Sequence, residues 1–450
     1  MKASVGQALI LKNLEVLSMT QIEMVHIPRP EWCTGRQLDE MKFCEYFLEA
    51  YPLIYSDGSF FNRKGRVPTE KVKGMIFDYL SMYVKSGIPK MVNTLLEVMK
   101  LHCANELPIN EGAFQCSNGT YILSTEEFRK EADPARHRLP VRYNPAAPEP
   151  VLWLNFLSQL LEEEDILTLQ EYMGYCLLPV TIAQKMMLII GSGGEGKSRI
   201  GILLQQLLGQ NMCNGNLNKV ETNPFARADL QHRLVMVDDD LRMEALNSTN
   251  YIKSIITAEQ PMDLERKGEQ SYQGRLYCRF LAFGNGNLRS LHDRSHGFFR
   301  RQIILTTKPK DPNRVDDPYL SKYLAEELEG ILQWCIQGLR RLWMNDMQFT
   351  LSQKARENLL YAMREGNNIL DFLQSQGYIR MDATGQITSR RLYLVYKDWC
   401  EDNVLPPLSS SSFVSWIIQN GAAYGISYSN HVPGGNGREV RGFVGIRAAV

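Results

Sequence analysis

Eight residues constrain this chain more than any others: Gly191-Ser192-Gly193-Gly194-Glu195-Gly196-Lys197-Ser198. They fit the pattern G-x-x-x-x-G-K-[ST], and their flanks are the ones that pattern requires. Ahead of them, Met186–Ile190 is a short continuous apolar run, as a strand buried on both faces of a parallel sheet would be. Behind them, Ile200, Leu203, Leu204, Leu207 and Leu208 share one helical face, and Gly209 stops the helix. Glycines at such a junction let backbone N–H groups turn inward around a phosphate chain, and the helix N-terminus adds a favourable dipole. The motif therefore predicts ATP and Mg²⁺ as ligands. Lys197 would reach the β- and γ-phosphates, and Ser198 would hold the metal. Gly191, Gly193, Gly194, Glu195, Gly196 and Arg199 complete the expected nucleotide contacts.

Three more apolar runs follow. Leu234–Val237 leads into Asp238-Asp239-Asp240, where Asp238 would organise the Mg²⁺ shell and the next acid would orient the attacking water. Leu276–Phe283 ends in Gly284-Asn285-Gly286-Asn287, and the Asn285 amide can hydrogen-bond the γ-phosphate and the lytic water. Gln302–Leu305 is preceded by Arg300-Arg301, either of which can act as a finger supplied to a neighbouring subunit's site. Strands separated by helical segments imply an α/β fold: a parallel sheet with helices on both faces and its ligand at the carboxyl ends of the strands.

At 450 residues the chain is too long for one compact core. Residues 1–105 carry helical apolar spacing at Asp39–Leu53, Val72–Val84 and Met91–Leu101, with a turn signal at Ser56-Asp57-Gly58-Ser59; an oligomerisation collar is one role open to them. Residues 106–179 begin with short strands around Asn118-Gly119. They continue through a connector with prolines at 134, 140, 145, 148 and 150, and end in two helices within Val151–Leu178. The core occupies 180–310. A linker and a helical lid, which includes a long amphipathic helix from Leu324 to Leu342, occupy 311–366. The last unit, 367–450, has helical patterns at Ile369–Gln376, Ser389–Cys400 and Ser411–Asn420, then two strand-like segments flanking Pro433–Gly437.

Lysine plus arginine equals aspartate plus glutamate, 50 each, which excludes a polybasic protein but not a local patch. Residues 253–310 hold eleven Lys/Arg against five Asp/Glu, so an anionic polymer is the natural partner beside the ATPase. The nine cysteines show no CxxC and no zinc spacing, and read as reduced thiols in a cytoplasmic protein. No apolar run approaches membrane-spanning length, and the N-terminus lacks a convincing secretory signal.

The order of loop, acidic strand, Ile252-Lys253-Ser254, Asn285 and Arg300-Arg301 resembles the superfamily-three AAA+ helicases, most closely the helicase part of phage, plasmid and poxvirus primase-helicases. Further likeness lies in Asn118–Leu123, Tyr143–Ala146, Tyr172–Tyr175, Leu328–Trp334, Leu392–Cys400 and Gly442–Ile446, so that it spans about 110–450. The resemblance implies an ATP-dependent DNA helicase of a mobile element, working in replication in the cytoplasm of a bacterial host as a ring, usually a hexamer. It makes Lys197 and Ser198 the Walker A contacts, Asp238 and Asp239 the Walker B pair, Asn285 the sensor, and Arg300 or Arg301 the finger. It places Arg266 and Lys267 in a DNA-contacting pore hairpin; an exposed charged loop is the alternative there. The last unit becomes a winged-helix domain, with Arg390, Arg391, Arg438 and Arg441 as DNA contacts, though such a domain can equally bind protein. Two departures matter. The second Walker B acid, usually glutamate, is here Asp239, one methylene shorter, which leaves a role for Asp240 and a second reading open: an ATP-gated DNA-binding ring or origin-recognition loader with little hydrolysis. The first hundred residues carry no paired-carboxylate or zinc motif for nucleotidyl transfer, so a primase or polymerase would be a separate partner.

Overall fold

A computed structural model describes residues 30–34, 37–130, 134–241, 248–268, 270–286, 296–314, 317–366, 368–403, 405, 407–434 and 437–449. The chain divides into two compact units, one of residues up to 62 and 67–106, the other of 63–66 and 107 onward.

Among its described residues the first unit has helices Glu40–Ala50, Thr69–Ser81 and Ile88–His102 and an antiparallel strand pair, Ile54–Ser56 with Ser59–Asn62. Phe43, Phe47, Val72, Ile76, Leu95 and Met99 are fully buried at its centre. The turn signal at 56–59 makes a two-residue hairpin with Asp57 and Gly58 both at positive φ (46° and 74°), the geometry that suits the strand twist.

In the second unit, helices α1 (Val151–Leu160) and α2 (Glu163–Tyr175) precede a five-stranded sheet. Its strands in chain order are β1 (Met186–Gly191), β2 (Met212–Asn214), β3 (Val235–Leu241), β6 (Arg279–Asn285) and β7 (Gln302–Thr306). Between β3 and β6 lies a small antiparallel pair, β4 (Met262–Leu264) and β5 (Tyr272–Gly274). The sheet order is β2-β3-β6-β1-β7, and every pairing is parallel. Helices α3 (Ser198–Leu208), α4 (Leu217–Thr222) and α5 (Asn250–Thr257) fall within the sheet segment.

Alternation along the strands explains why both faces are covered. Met187, Ile189, Val237, Leu281, Phe283 and Ile303 join a core with Leu203 and Leu207 of α3 and Leu169 of α2. Their neighbours Leu188, Ile190, Met236, Phe280 and Ile304 join a second core with Ile252 and Ile255 of α5. Successive side chains point to opposite faces, so a strand apolar at every position needs helices on each side. Strand β2 escapes the apolar-run reading because it is three residues long and ends in exposed Asn214 at the sheet edge.

After the sheet come α6 (Leu320–Glu326) and α7 (Leu328–Met344). The single helix expected from Leu324 to Leu342 is thus two, broken at Glu327, whose φ and ψ of −94° and 8° leave the helical well. Helix α7 packs on α2 at backbone contact. A Cβ on Gly174 would lie 2.4 Å from the Cys335 carbonyl oxygen, and one on Gly338 would lie 2.4 Å from that of Gln170. Beside this seam, fully buried Glu171 accepts from Arg341 Nε (2.6 Å) and from the Thr350 amide (2.7 Å).

The C-terminal segment adds helix Ile369–Gln374, strand β8 (Ile379–Thr388), helix α8 (Ser389–Asp402), helix Ser410–Asn420 and strands β9 (Ser427–Pro433) and β10 (Glu439–Ala448). The strands form an antiparallel sheet in the order β8-β10-β9, around a core of its own that includes Phe372, Leu392, Tyr396, Phe413 and Phe443. Helix Gln353–Gly366 lies within the expected helical lid, while strand β8 is not expected from the sequence. All nine cysteines are free thiols, and no helix among the described residues is long and apolar enough to cross a membrane.

Within the proline-bearing connector, buried His137 holds Asn211 and Tyr277. The Asn211 amide nitrogen donates to the Arg138 and Leu208 carbonyls, which turns Oδ1 toward His137 Nδ1 at 3.3 Å. The ring therefore donates from Nδ1 and accepts from the Tyr277 hydroxyl at Nε2 (2.8 Å). Burial first, then electrostatic interaction with His232, pushes its pKa down to about 3. The unfolded chain binds this proton near pH 6.5 and the folded one does not. This site should therefore cost stability on acidification below pH 6.5, by about 1.4 kcal/mol per pH unit toward pH 3. Urea titrations of wild type and His137→Gln at pH 7 and pH 5 check this; the difference between the two proteins should shrink at pH 5.

Candidate functional site

The glycine-rich loop leaves β1 at Gly191 and enters α3 at Ser198. Gly193, Gly194 and Gly196 adopt φ of 111°, 81° and 102°, a region side chains rarely enter. Gly191 is required for a different reason. A Cβ there would lie 2.4 Å from Thr307 Oγ1 and 2.8 Å from Lys197 Nζ. Flanking strands fix the loop's base: the Thr307 amide donates to the Ile190 carbonyl (2.9 Å) and the Gly286 amide to the Gly191 carbonyl (2.8 Å).

Inside the loop, Lys197 and Glu195 are both buried, at 5 % and 3 % exposure. Lys197 Nζ pairs with Glu195 Oε2 at 2.8 Å. Glu195 Oε1 also accepts from the amides of Ser192 (2.5 Å) and Gly193 (2.8 Å). Burial alone would raise the Glu195 carboxyl, but the hydrogen bonds from Lys197 and from backbone amides outweigh it and hold the group below its ordinary range. The loop thus already converges two amides and an ammonium on one oxyanion. Those are the donor types a phosphate takes. The residues present therefore fit a nucleoside triphosphate.

Strand register brings the other polar groups to the same edge. Asn285 is the Cα partner of Gly191, and its Oδ1 lies 3.9 Å from a Cβ position on Gly193. One strand over, Asp238 pairs with Ala282. Asp238 is buried and accepts from the Leu217 amide at the start of α4 (2.8 Å) and, at 3.4 Å, from the Asp240 amide. Burial raises its carboxyl. Asp239 and Asp240 are exposed, and the strand continues through them to Leu241 with a register shift after Asp238. Ser198 is exposed at the first position of α3. One Asp238 oxygen has only a long contact; Asp238 and Ser198 are the residues that would hold a Mg²⁺. Among the described residues there is no all-protein cluster of three or more metal-ligating acids, histidines or cysteines. Asn287 lies outside the described residues.

Arg300 and Arg301 are not brought to the loop. They immediately precede β7, at the amino ends of the strands, about 16 Å along β1 from Gly191. Arg300 is exposed, and its carbonyl accepts from Lys185 Nζ. Arg301 donates to the Gly297 carbonyl. A finger in this position serves another subunit or none.

Two side chains of the second unit were not foreseen, and one of them reaches the loop. Arg314, from the polar linker, donates to the Glu195 carbonyl (2.7 Å). Buried Glu221 accepts from the amides of Asn250 (2.8 Å) and Ile252 (3.1 Å) and so caps α5. Arg199, half-buried, donates to Ser321 Oγ of α6 (2.7 Å), tying the loop's helix to the chain after the sheet.

The β4–β5 pair carries the predicted hairpin. Arg266 is partly buried, donates to Gln231 Oε1 (2.5 Å) and lies over the Tyr272 ring at 5.3 Å. Lys267 is exposed in the connecting loop. In the C-terminal segment Arg390, Arg391, Arg438 and Arg441 are all exposed. Thr388 pairs with Gly442, so Arg390 and Arg391, in the first turn of α8, stand at the same end of the sheet as Arg441.

Residues 189–301 match a family of unknown function, DUF5906. No curated protein matches the chain. An apo structure of the C-terminal region of NrS-1 is similar with a TM-score of 0.51 at 11% identity, covering 90% of this chain and 99% of that one. An A-form apo structure of the same region gives 0.50 at 11% identity with the same coverage. These likenesses concern the fold.

Packing at Gly191 predicts the cost of one methyl group. Gly191→Ala should lower stability by about 1–3 kcal/mol through overpacking against Thr307 and Lys197. Thermal melting of Gly191→Ala, compared with Gly194→Ala where nothing lies within 4 Å, separates packing from backbone strain.

Proposed function

We propose that the chain is an ATP-dependent DNA helicase with an AAA+ core, working as a ring oligomer on DNA with Mg²⁺. The observation that carries this reading is the register of Gly191 with Asn285 and of Asp238 with Ala282, which lines loop, amide and acid along adjoining strands β1, β6 and β3. Ligands of open parallel sheets bind at this edge, where the chain switches sides; here β1 lies between β6 and β7. Bound there, a nucleoside triphosphate supplies the free energy of its terminal phosphate bond. Lys197 and the amides of Ser192 and Gly193 would hold the phosphates, Asp238 and Ser198 the metal, and Asn285 would orient a water with Asp239 or Asp240 as its acceptor. Arg300 or Arg301 would complete the neighbouring subunit's site, which makes the ring a chemical requirement.

DNA is the proposed track for two reasons. Lys267 is exposed on a hairpin that emerges from the core between β3 and β6. Helix α8 and the β9–β10 pair, a winged-helix arrangement in this reading, present four exposed arginines, and phosphate contacts from arginine supply most sequence-independent affinity.

A second reading has its own support. Asp239 stands where a longer glutamate is usual, and Asp238 is held by the Leu217 amide. An enzyme with that geometry would bind nucleotide and turn it over slowly, as a switch or loader.

Steady-state ATP hydrolysis with and without single-stranded DNA, with RNA as control and solution mass in parallel, separates the readings. DNA-stimulated turnover in a ring-sized oligomer is expected; tight binding without turnover selects the switch. Lys267→Ala should lose strand displacement while keeping most basal hydrolysis, and equal loss of both would remove it from the DNA path. In mixed rings, Arg300→Ala/Arg301→Ala subunits and Lys197→Ala subunits should together regain part of the ~10³-fold or greater loss expected of a missing finger.

A further inference from the structure

The loop pattern leaves the residue before Gly196-Lys197 unspecified, because only its backbone is needed to shape the cradle. In this chain it is a glutamate, and its side chain folds back into the loop. Its two oxygens together receive the Ser192 amide, the Gly193 amide and the Lys197 ammonium. At 3 % exposure the carboxylate has been taken out of water, which is unfavourable unless its oxygens are satisfied, and these three donors satisfy them. They are also the groups through which Lys197 and the loop would hold a phosphate. Two anions cannot occupy them together.

We propose that Glu195 is a built-in competitor for the phosphate cradle: its carboxylate fills the loop in the resting protein and must swing out before a nucleoside triphosphate can bind. The proposal rests on reading this loop as a nucleotide site and adds a regulatory property to it. The main chain is arranged for such a movement. Arg314 grips the Glu195 carbonyl (2.7 Å), and Gly194 and Gly196 on either side hold positive φ. Side-chain rotation therefore frees the cradle while the backbone keeps its place. Between bindings the pairing also gives the buried Lys197 ammonium a counter-ion, so the loop stays formed without ligand. The cost is an affinity reduced by the fraction of time the carboxylate is out.

Binding of a fluorescent ATP analogue, and of pyrophosphate as competitor, is measured for the full chain and for Glu195→Gln, Glu195→Ala and Lys197→Ala. Glu195→Gln keeps the shape and removes the charge; Glu195→Ala removes the competitor altogether. Both should bind the analogue at least tenfold more tightly than wild type, about 1.4 kcal/mol, with Ala at least as tight as Gln and Lys197→Ala binding nothing. Pyrophosphate affinity should rise in parallel, since the competition is for phosphate contacts alone. Wild-type or weaker binding by both Glu195 variants, with Lys197→Ala still inactive, overturns the competitor and leaves the nucleotide site standing. If wild type fails to bind and both Glu195 variants fail too, or if Lys197→Ala binds as wild type does, the nucleotide reading falls and the competitor with it. Thermal melting of each variant shows that it is folded; should one Glu195 variant not fold, the other decides the question.

Discussion

A lysine ammonium held at 5 % exposure needs a negative charge within reach, and the strands around the glycine-rich loop fix where that charge can stand. Lys197 sits at the end of a loop whose base is pinned on both sides by neighbouring strands, through Gly286 and Thr307. Those pins exist because β1 is flanked by β6 and β7 in parallel register. The register in turn needs strands apolar on both faces and helices covering each. A charge in the loop and a methyl group in the sheet are therefore coupled: what fixes the strands fixes the direction of the loop's amides.

The core was legible in the sequence because two-sided burial leaves an unmistakable mark. Runs such as Met186–Ile190 and Leu234–Val237 have no polar member, and few structures other than a buried strand use four or five such residues between a turn and a helix. The placement of Asp238 and Asn285 was legible for a related reason: they follow those runs directly, and parallel strands deliver their carboxyl ends to one edge. Strand β2 left no such mark, since Cys213 and Asn214 lie at an edge where burial is incomplete. Strand β8 was hidden by its exposed positions and by the register shift between Asp382 and Gln386. The break between α6 and α7 was masked because Leu324 and Leu328 keep helical spacing across it.

The site's finer features depend on distance in the chain, and spacing arguments do not reach them. Arg314 stands 119 residues after the carbonyl it grips, in a linker whose composition signals only a loop. Glu221 caps a helix that begins at Asn250, well downstream of it. The orientation of the Glu195 side chain was equally invisible: the motif specifies where its backbone must go and says nothing of its carboxylate. Asn285, in contrast, was readable from its position at a strand end, and its register with Gly191 accounts for its proximity to the loop.

The seam between α2 and α7 bears on how the molecule is made. Gln170 hydrogen-bonds the Trp334 carbonyl across 164 residues of sequence, and the two glycines that permit the contact belong to helices on opposite sides of the whole sheet segment. During synthesis, α2 leaves the ribosome roughly 10–30 s before its partner exists. For that interval its apolar face, including Leu169 and Met173, has no α7 to cover it. Contacts of such long sequence separation form late and slowly. The nascent chain thus carries an apolar helix part of whose native cover is made late, so the α2–α7 seam is one place where a chaperone can influence the yield of folded protein.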